Sequence, residues 1–197
     1  MKFDGLKIGF AVTGSHCTIN EVIQVMKRLI DEGAELTPII SYSVDSMDTR
    51  FGKAEDWKRQ FKEITNKEII HTIPGAEPIG PKQMFDCVVI APCTGNTLAK
   101  LANGIIDTPA LMAAKSHLRN QKPVVLAIST NDGLGLNARN IGTLLITKNV
   151  YLVPFGQDNP AVKANSLVAH MDKIPDTVLM ACAGKQIQPV LVDYSGK

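Results

Sequence analysis

The sequence lacks the features that mark several classes of protein. No apolar run reaches the ~20 residues that a membrane-spanning helix needs, and no signal-peptide pattern opens the chain, so we expect a cytoplasmic protein that binds no membrane. The formal net charge is only +2, and no basic cluster is interleaved with aromatic residues, which argues against nucleic-acid binding. The four cysteines, Cys17, Cys87, Cys93 and Cys182, lack metal-ligand spacing, so we expect neither a metal site nor disulfides.

A dinucleotide-binding fingerprint is missing as well. Its Gly-x-Gly-x-x-Gly pattern should follow the first strand, where this chain has Gly14 alone. NAD binding in the usual mode is therefore not expected. The single glycine still allows the backbone to approach a ligand closely, because it carries no Cβ.

Strand-like and helix-like patterns alternate along the chain. They predict strands at residues 6–12, 35–41, 69–73, 85–91, 123–129 and 151–154. Helices are predicted after a capping box of Thr18 and Glu21, after Thr97, and at residues 53–66, 108–119 and 171–183. Loops are predicted at residues 42–52, 74–81 and 130–140. We expect an α/β fold, a single domain over residues 1–197 with a three-layer, doubly wound parallel sheet of Rossmann-like or flavodoxin-like type, in which residues 171–197 form a C-terminal helix and tail.

Four polar loops follow the predicted strands at the edge where ligands bind. In doubly wound sheets this edge lies beyond the carboxyl ends of the strands. The loops begin at Thr13, Ser41, Pro92 and Ser129, and all are rich in Ser, Thr, Asn and Gly with few charges. The sequence therefore predicts one polar, uncharged crevice that suits a cofactor.

The most informative stretch is residues 88–107, VVIAPCTGNTLAKLANGIID. An apolar strand stops at Pro92, a short polar segment follows, and a helical pattern then begins. Unpaired N–H groups and the dipole at a helix start favour phosphate. No acid lies between Asp86 and Asp107, and Lys100 is on the following helix. The stretch is also compatible with an ordinary strand-to-helix turn that needs no ligand.

This stretch resembles the signature of the homo-oligomeric flavin-containing cysteine decarboxylase-like flavoproteins. It keeps Ala91, Pro92, Thr94, Asn96, Thr97, Lys100, Ala102, Asn103, Gly104 and Asp107. The similarity extends over residues 6–155 and implies FMN as the cofactor, with its phosphate and ribityl chain in this loop. The residues that it implies for FMN binding are Gly14, Ser15, Ser41, Ser43, Pro92, Cys93, Thr94, Asn96, Thr97, Ser129 and Thr130.

One departure from the family pattern bears on the chemistry. Where the decarboxylating members have a catalytic His, this chain has Glu77, and the nearest histidine, His71, is six residues earlier. Decarboxylation of a cysteine substrate is therefore not expected. The motifs Gly-Ser-His-Cys, Glu-Pro-Ile-Gly-Pro and residues 153–160 resemble the dipicolinate-forming branch of the family.

That resemblance implies a role in the mother cell of a sporulating bacterium. The implied reaction oxidises a dihydro- or tetrahydropyridine-2,6-dicarboxylate, a small dicarboxylate, beside a Rossmann-type partner chain that carries NADP. The resemblance also implies a homo-oligomer built from trimers. Two alternatives stay open: a non-catalytic flavin-binding or scaffold protein, and an FMN-dependent decarboxylase.

Several residues are candidates for the chemistry. His16, Glu77 and Asn131 are the predicted catalytic residues, although His16 is also explained as a loop residue bonded to backbone. Arg139 and Lys82, expected in crevice loops, are candidate clamps for substrate carboxylates, although a surface role is common for Arg. Two histidines in predicted helices, His117 and His170, are expected to be solvated. Cys93 is expected to occupy its position in the motif because it is small, like the residue that it replaces.

Overall fold

A central sheet forms because short apolar runs alternate with amphipathic helices along the chain. In the computed structural model, which describes residues 2–193, seven strands form one sheet. They are β1 (Lys7–Val12), β2 (Glu35–Ile40), β3 (Cys87–Cys93), β4 (Val124–Thr130), β5 (Val150–Leu152), β6 (Phe155–Gln157) and β7 (Leu167–Ala169). Every residue of β3 is buried, as expected for a central strand with both faces covered. Each fully buried Val or Ile there contributes about 1.5–3 kcal/mol of hydrophobic stabilisation.

The strand order confirms the predicted doubly wound fold. Parallel neighbours run β2, β1, β3, β4 and β5 across the sheet. This is the flavodoxin-like order, in which the direction of winding reverses between β1 and β3. The carboxyl ends of those two strands therefore border the switch point.

The sheet also has an antiparallel extension that the sequence did not predict. β7 pairs with the end of β4 through Ser129 with Val168 and Thr130 with Leu167, and β6 pairs with β7. Strands of three residues are too short to show a period-two pattern. The hairpin brings residues 158–166 to the carboxyl edge of β4.

Helices cover both faces of the sheet. They are α1 (Ile19–Asp31), α2 (Tyr42–Ser46), α3 (Ala54–Thr65), α4 (Ile73–Ala76), α5 (Gly95–Ala102), α6 (Pro109–Arg119), α7 (Ala138–Leu145) and α8 (Ile174–Cys182). α1 and α8 pack together on one face, while α6 contacts α4 and α5 on the other. Right-handed crossovers on either side of the switch point require this division.

Two predicted elements are wrong. Residues 69–73 form no strand but a single bridge between Ile70 and Ile39, because the chain turns into α4 at Ile73. Thr72 caps that turn by accepting the N–H of Gly75 at 3.1 Å. The predicted loop 74–81 accordingly holds the end of α4 and a 3₁₀ turn at Glu77–Ile79.

Helix starts also differ from the predictions at three places. Thr18 is the N-cap residue of α1, as predicted, but its side chain makes no capping bond. Its hydroxyl donates to the carbonyl of Ser15 at 2.9 Å, and a 3₁₀ turn, His16–Thr18, precedes the helix. Residues 42–52 contain α2, and α7 begins at Ala138 inside the predicted loop 130–140. Of the predicted C-terminal tail, residues 194–197 lie outside the described residues.

His117 is buried rather than solvated. Its side chain is on α6 and is 2% exposed, and its Nε2 has no hydrogen-bond partner within residues 2–193. Burial is the main reason that its pKa falls to about 4. The imidazole is therefore a neutral core side chain.

Acid should destabilise the fold through His117. Between the unfolded pKa of 6.5 and the folded pKa of about 4, the unfolded chain binds a proton that the folded chain does not. The free energy of unfolding should therefore fall as the pH decreases through that window. In His117→Asn this contribution should disappear. The free energy of unfolding, measured by urea titration at several pH values, should then depend less steeply on pH than in the wild type. The same change at half-buried His170 is the control, and equal slopes in both variants would contradict the assignment.

Candidate functional site

A cavity of about 340 Å³ lies beyond the carboxyl ends of β1, β2 and β3. It is lined by Thr13, Gly14, Ser41, Tyr42, Ser43, Thr94, Asn96, Thr97, Lys100 and Thr108. This is the switch point of the sheet, where doubly wound proteins bind ligands. Within the described residues no acidic side chain lines it, and Lys100 supplies its one charged group. Three of the four polar loops picked out in the sequence thus meet around one space.

A larger groove of about 570 Å³ runs along α3, but its charges are already paired. Lys58 is 3.4 Å from Asp45, and Lys62 is 2.7 Å from Glu68. Exposed ion pairs of mixed sign give little net attraction for an anion. The switch-point cavity is therefore the better candidate site.

The start of α5 forms the anion-favouring wall of the cavity. Thr94 is the N-cap, and its Oγ1 accepts the N–H of Thr97 at 3.2 Å and donates to the Thr97 hydroxyl at 3.0 Å. Helix geometry leaves the N–H groups of Gly95 and Asn96 without intrahelical partners. Those two donors, with the positive end of the helix dipole, can satisfy a phosphate.

Side-chain hydroxyls hold the loops together. The Thr13 hydroxyl donates to the carbonyl of Pro92 at 2.6 Å and accepts the N–H of Thr94 at 3.1 Å, which joins the ends of β1 and β3. The hydroxyls of Ser15 and Ser129 are 2.8 Å apart, which joins the first loop to β4. These side-chain hydrogen bonds therefore connect the loops directly, without a ligand between them.

Two glycines allow the loops to approach this closely. A Cβ on Gly14 would lie 2.5 Å from Ser43 Oγ, and a Cβ on Gly95 would lie 2.5 Å from Thr130 Oγ1. Those distances are far below van der Waals contact, so larger residues would push the loops apart. Gly14 thus brings Ser43 to the cavity, and Gly95 brings the end of β4 against α5.

The charge of Lys100 is partly compensated. Its Nζ is 2.6 Å from Asp107 Oδ2, because the chain returns past the end of α5. In the sequence, Asp107 only marked the end of an acid-free stretch. The attraction for an anion therefore comes mainly from backbone N–H groups, with a smaller contribution from the lysine.

His16 is at the first loop in an unusual environment. Its Nδ1 is buried and has no hydrogen-bond partner in the described part of the chain. Burial lowers the pKa of the imidazole, so His16 is neutral near neutral pH. Its Nε2 is 3.9 Å from the position of a Cβ on Gly14, so the ring packs beside that glycine. Because Nδ1 has no partner, the alternative in which the His16 ring is bonded to backbone through that atom is not supported.

The other crevice candidates differ in exposure. Pro92 and Cys93 are buried in β3, and burial raises the pKa of Cys93 to about 12, so this thiol stays protonated. Ser129 is buried at the end of β4, next to Thr130. Exposed Asn131 follows, and its Oδ1 accepts the hydroxyl of Ser166 at 3.3 Å.

Ten predicted site residues are not among the residues that line the cavity. Glu77, Arg139 and Lys82 lie on other elements, and the rest belong to loops or strand ends beside it: Ser15, His16, Pro92, Cys93, Ser129, Thr130 and Asn131. Glu77 is exposed on a turn that packs against α6, and Arg139 is exposed in the first turn of α7. Lys82 is also exposed and precedes β3, near Gly80, whose carbonyl accepts the Asn120 amide at 2.8 Å just past α6. That is the amino edge of the sheet, so the expectation that Lys82 lies in a crevice loop is wrong.

Four lining residues were not among the predicted site residues: Thr13, Tyr42, Lys100 and Thr108. Thr13 and Lys100 belong to stretches that the sequence singled out, whereas Tyr42 and Thr108 were missed altogether. Tyr42 begins α2, a helix too short to show periodicity. Thr108 is the N-cap of α6 and accepts the N–H of Leu111 at 3.3 Å. The Thr-Pro pair at 108–109 signals a helix start, but nothing local indicates that the chain has returned to the cavity.

Residues 2–193 contain neither a candidate membrane span nor a candidate metal centre. No helix there is long and apolar enough to cross a membrane. No group of three or more His, Cys, Asp or Glu side chains there is arranged to hold a metal ion.

Comparisons with known proteins agree on the family. A family model described as Flavoprotein matches residues 2–181. The chain is 50% identical to the B subunit of dipicolinate synthase from Bacillus subtilis (strain 168) over 193 residues, which is 98% of this chain and 96% of that protein. A crystal structure of the dipicolinate synthase B subunit from Bacillus halodurans superimposes with a TM-score of 0.90 at 52% identity, covering 98% of this chain and 99% of that one.

A more distant structure shares the fold alone. DmrB from Burkholderia xenovorans, crystallised in complex with FMN and described as a cubic protein cage for redox transfer, has a TM-score of 0.61 at 22% identity. The match covers 75% of this chain and 87% of DmrB.

The Thr13 hydroxyl should be essential to the closed cavity. Thr13→Val keeps the shape of the side chain but leaves the Pro92 carbonyl and the Thr94 N–H unpaired. Each such buried group costs about 1–3 kcal/mol, so the free energy of unfolding should fall by at least that amount. Thr13→Ser keeps the hydroxyl and is the matched control. Urea denaturation that shows Thr13→Val to be as stable as Thr13→Ser would disprove this role.

Proposed function

This chain belongs to the flavoprotein family, in the group that contains the B subunits of dipicolinate synthase, and from that premise we propose that it binds FMN in the switch-point cavity. We further propose that it helps to oxidise a dihydro- or tetrahydropyridine-2,6-dicarboxylate to dipicolinate. The observation that carries the proposal is the acid-free cavity at the start of α5. A phosphate dianion needs donors without competing carboxylates, and this wall offers them.

The residues present fit FMN. The N–H groups of Gly95 and Asn96, with the side chains of Thr94, Asn96 and Thr97, would hold the phosphate. Gly14, Ser15, Ser41 and Ser43, together with Ser129 and Thr130, would face the ribityl chain and ring. Pro92 and Cys93 shape the floor of the site as buried residues of β3. When bound, FMN supplies a hydride acceptor, which none of these side chains can provide.

His16 is the proposed proton acceptor. Each two-electron step of the oxidation removes a hydride from carbon and a proton from the ring, once for a dihydropyridine and twice for a tetrahydropyridine. A neutral imidazole can take that proton, and burial keeps His16 neutral. Its buried Nδ1 makes no hydrogen bond within the described residues, so no neighbouring group competes for a proton on that atom. Asn131, at the end of β4, would orient the substrate through its amide, while Glu77 faces away from the cavity and is given no step.

A dicarboxylate substrate also needs a cation, and Arg139 is the remaining candidate. It is exposed on α7, which begins just after the β4 loop, and its guanidinium can bind a carboxylate through two bonds. Lys82 is not part of the proposal, because it lies at the opposite edge of the sheet.

The proposal includes assembly. Exposed apolar side chains lie on α2 and in the segments that follow α2 and α5, with Tyr42 at 45%, Met47 at 54%, Phe51 at 41% and Ile105 at 47% exposure. Apolar surface of this kind favours contact with another protein chain. We propose a homo-oligomer built from trimers, which works with the A subunit of dipicolinate synthase, the NADP-carrying partner, in the mother-cell cytoplasm of a sporulating bacterium.

Asn96→Asp should weaken FMN binding. The new carboxylate would stand at the start of α5 and repel the phosphate, so the Kd for FMN should rise by at least about tenfold, or about 1.4 kcal/mol. Equilibrium titration by flavin fluorescence measures this. Asn149→Asp adds the same charge before β5, at the opposite edge of the sheet, and should leave the Kd unchanged. If both variants bind FMN as the wild type does, the phosphate is bound elsewhere.

Dipicolinate formation should require this chain, with His16 intact, together with its NADP-carrying partner. In a reconstituted assay that follows dipicolinate by ultraviolet absorbance, His16→Gln should lower kcat by roughly a hundredfold, a usual loss for a general base. Its FMN affinity should be unchanged, and His170→Gln is the control for the substitution itself.

In the same assay Arg139→Ala should raise KM for the dicarboxylate. Full activity from the partner without this chain would reduce this chain to an accessory role.

A further inference from the structure

Four polar side chains form a continuous amide chain between α5 and the loop after β4. Asn103 Nδ2 donates to Asn140 Oδ1 at 3.4 Å, and Asn140 Nδ2 donates to Asn137 Oδ1 at 2.9 Å. Asn137 Nδ2 donates to Asp132 Oδ2 at 3.3 Å, which ends the chain on a carboxylate. None of the cavity contacts described above depends on these bonds.

This amide chain reaches both ends of α5. Asn103 is the C-cap residue of the helix and also donates to the carbonyl of Ala99 at 2.8 Å. At the other end, a Cβ on Gly95 would lie only 2.8 Å from Asn137 Nδ2. The first residue of α5 and its C-cap therefore both contact the start of α7.

The bonds all run in one direction. Each amide donates toward Asp132, and a carboxylate can only accept, so no amide can flip without losing a bond. Asp132 is itself held, because its Oδ1 accepts the N–H of Leu136 at 3.2 Å and its own N–H donates to Thr130 Oγ1 at 3.2 Å. Bonds aligned in this way strengthen one another, and a charged end strengthens them further.

α5 needs such an attachment. It has eight residues, and only Thr97, Leu98 and Leu101 are buried. Three buried side chains fix the direction of a short helix less firmly than a longer apolar face would, while N–H groups must be aimed within a fraction of an ångström to bind a ligand well. Asn137 and Asn140 are buried polar residues in α7 or at its N-cap, where apolar side chains would fill the same space without a desolvation cost.

We propose that Asn137 and Asn140 are positioning residues, which hold α5 so that the N–H groups of Gly95 and Asn96 point at the FMN phosphate. This inference rests on the proposed function, in which that phosphate binds at α5. At Asn140 it separates phosphate recognition from flavin recognition, because the two bonds of that side chain join α5 to α7 and contact neither the first two loops nor Thr130.

The test compares FMN with riboflavin, which lacks only the phosphate. Asn140→Leu removes two bonds of the amide chain and keeps the branched shape of the side chain, with methyl groups that are larger than the amide atoms. The preference for FMN over riboflavin should fall by about tenfold, the effect of losing roughly one well-made hydrogen bond, while the Kd for riboflavin stays at the wild-type value. Asn140→Ala, which adds no bulk to α7, should show the same loss.

A matched control removes a similar bond far from α5. Asn120→Leu deletes the partly buried amide that donates to the Gly80 carbonyl at 2.8 Å. It should lower the thermal midpoint to a similar extent but keep the full preference for FMN. An effect on stability alone would therefore be recognised.

The outcomes separate the two proposals. A wild-type protein with no preference for FMN over riboflavin would overturn the phosphate site itself. A wild type with that preference, retained in both Asn140 variants, would overturn only the positioning role. Equal losses of FMN and riboflavin affinity would also overturn it, because they would show a general loosening of the cavity.

Discussion

The hydroxyl of Thr13 is the contact on which the cavity depends. Where β1 and β3 end, backbone pairing between them stops, and the two loops must diverge around the switch point. One side chain bridges that gap by donating to the Pro92 carbonyl and accepting the Thr94 N–H. Since Thr94 is also the N-cap of α5, the same hydroxyl sets where the helix begins. The position of the N–H groups at the start of α5 follows from it.

The electrostatics of the cavity are those of a backbone site. Among the described residues its one charged lining residue, Lys100, is paired with Asp107, while the N–H groups at the start of α5 have fixed directions. The groove along α3 shows the contrast, since many charges there cancel in pairs. A site built on N–H groups is selective for shape, because the donors cannot follow a displaced ligand as flexible lysines can.

The sequence predicted what depends on local pattern. β1 to β4 were found because each contains a short stretch rich in apolar residues, and the loops after β1, β2 and β3 were found from their Ser, Thr and Gly content. β5 was found within the apolar stretch at residues 151–154, whereas β6 and β7 were missed because three residues without such a stretch show no period. Lys82 was misplaced because sequence position does not tell which edge of the sheet a turn occupies. The burial of His117 and the amide chain from Asn103 to Asp132 depend on packing between distant segments, which single-sequence patterns do not reveal.

β4 pairs with two different strands along the same edge. Its first half pairs with β5 and its end pairs with β7. No stretch of that edge within residues 2–193 is left as a long template for a foreign strand, so the protein is protected there from edge-to-edge aggregation. The loop of the β6–β7 hairpin also lies outside the parallel part of the sheet, so its length does not set the register of β1 to β5. Residues 158–166 can gain or lose residues over evolution while every strand that carries a cavity residue keeps its alignment.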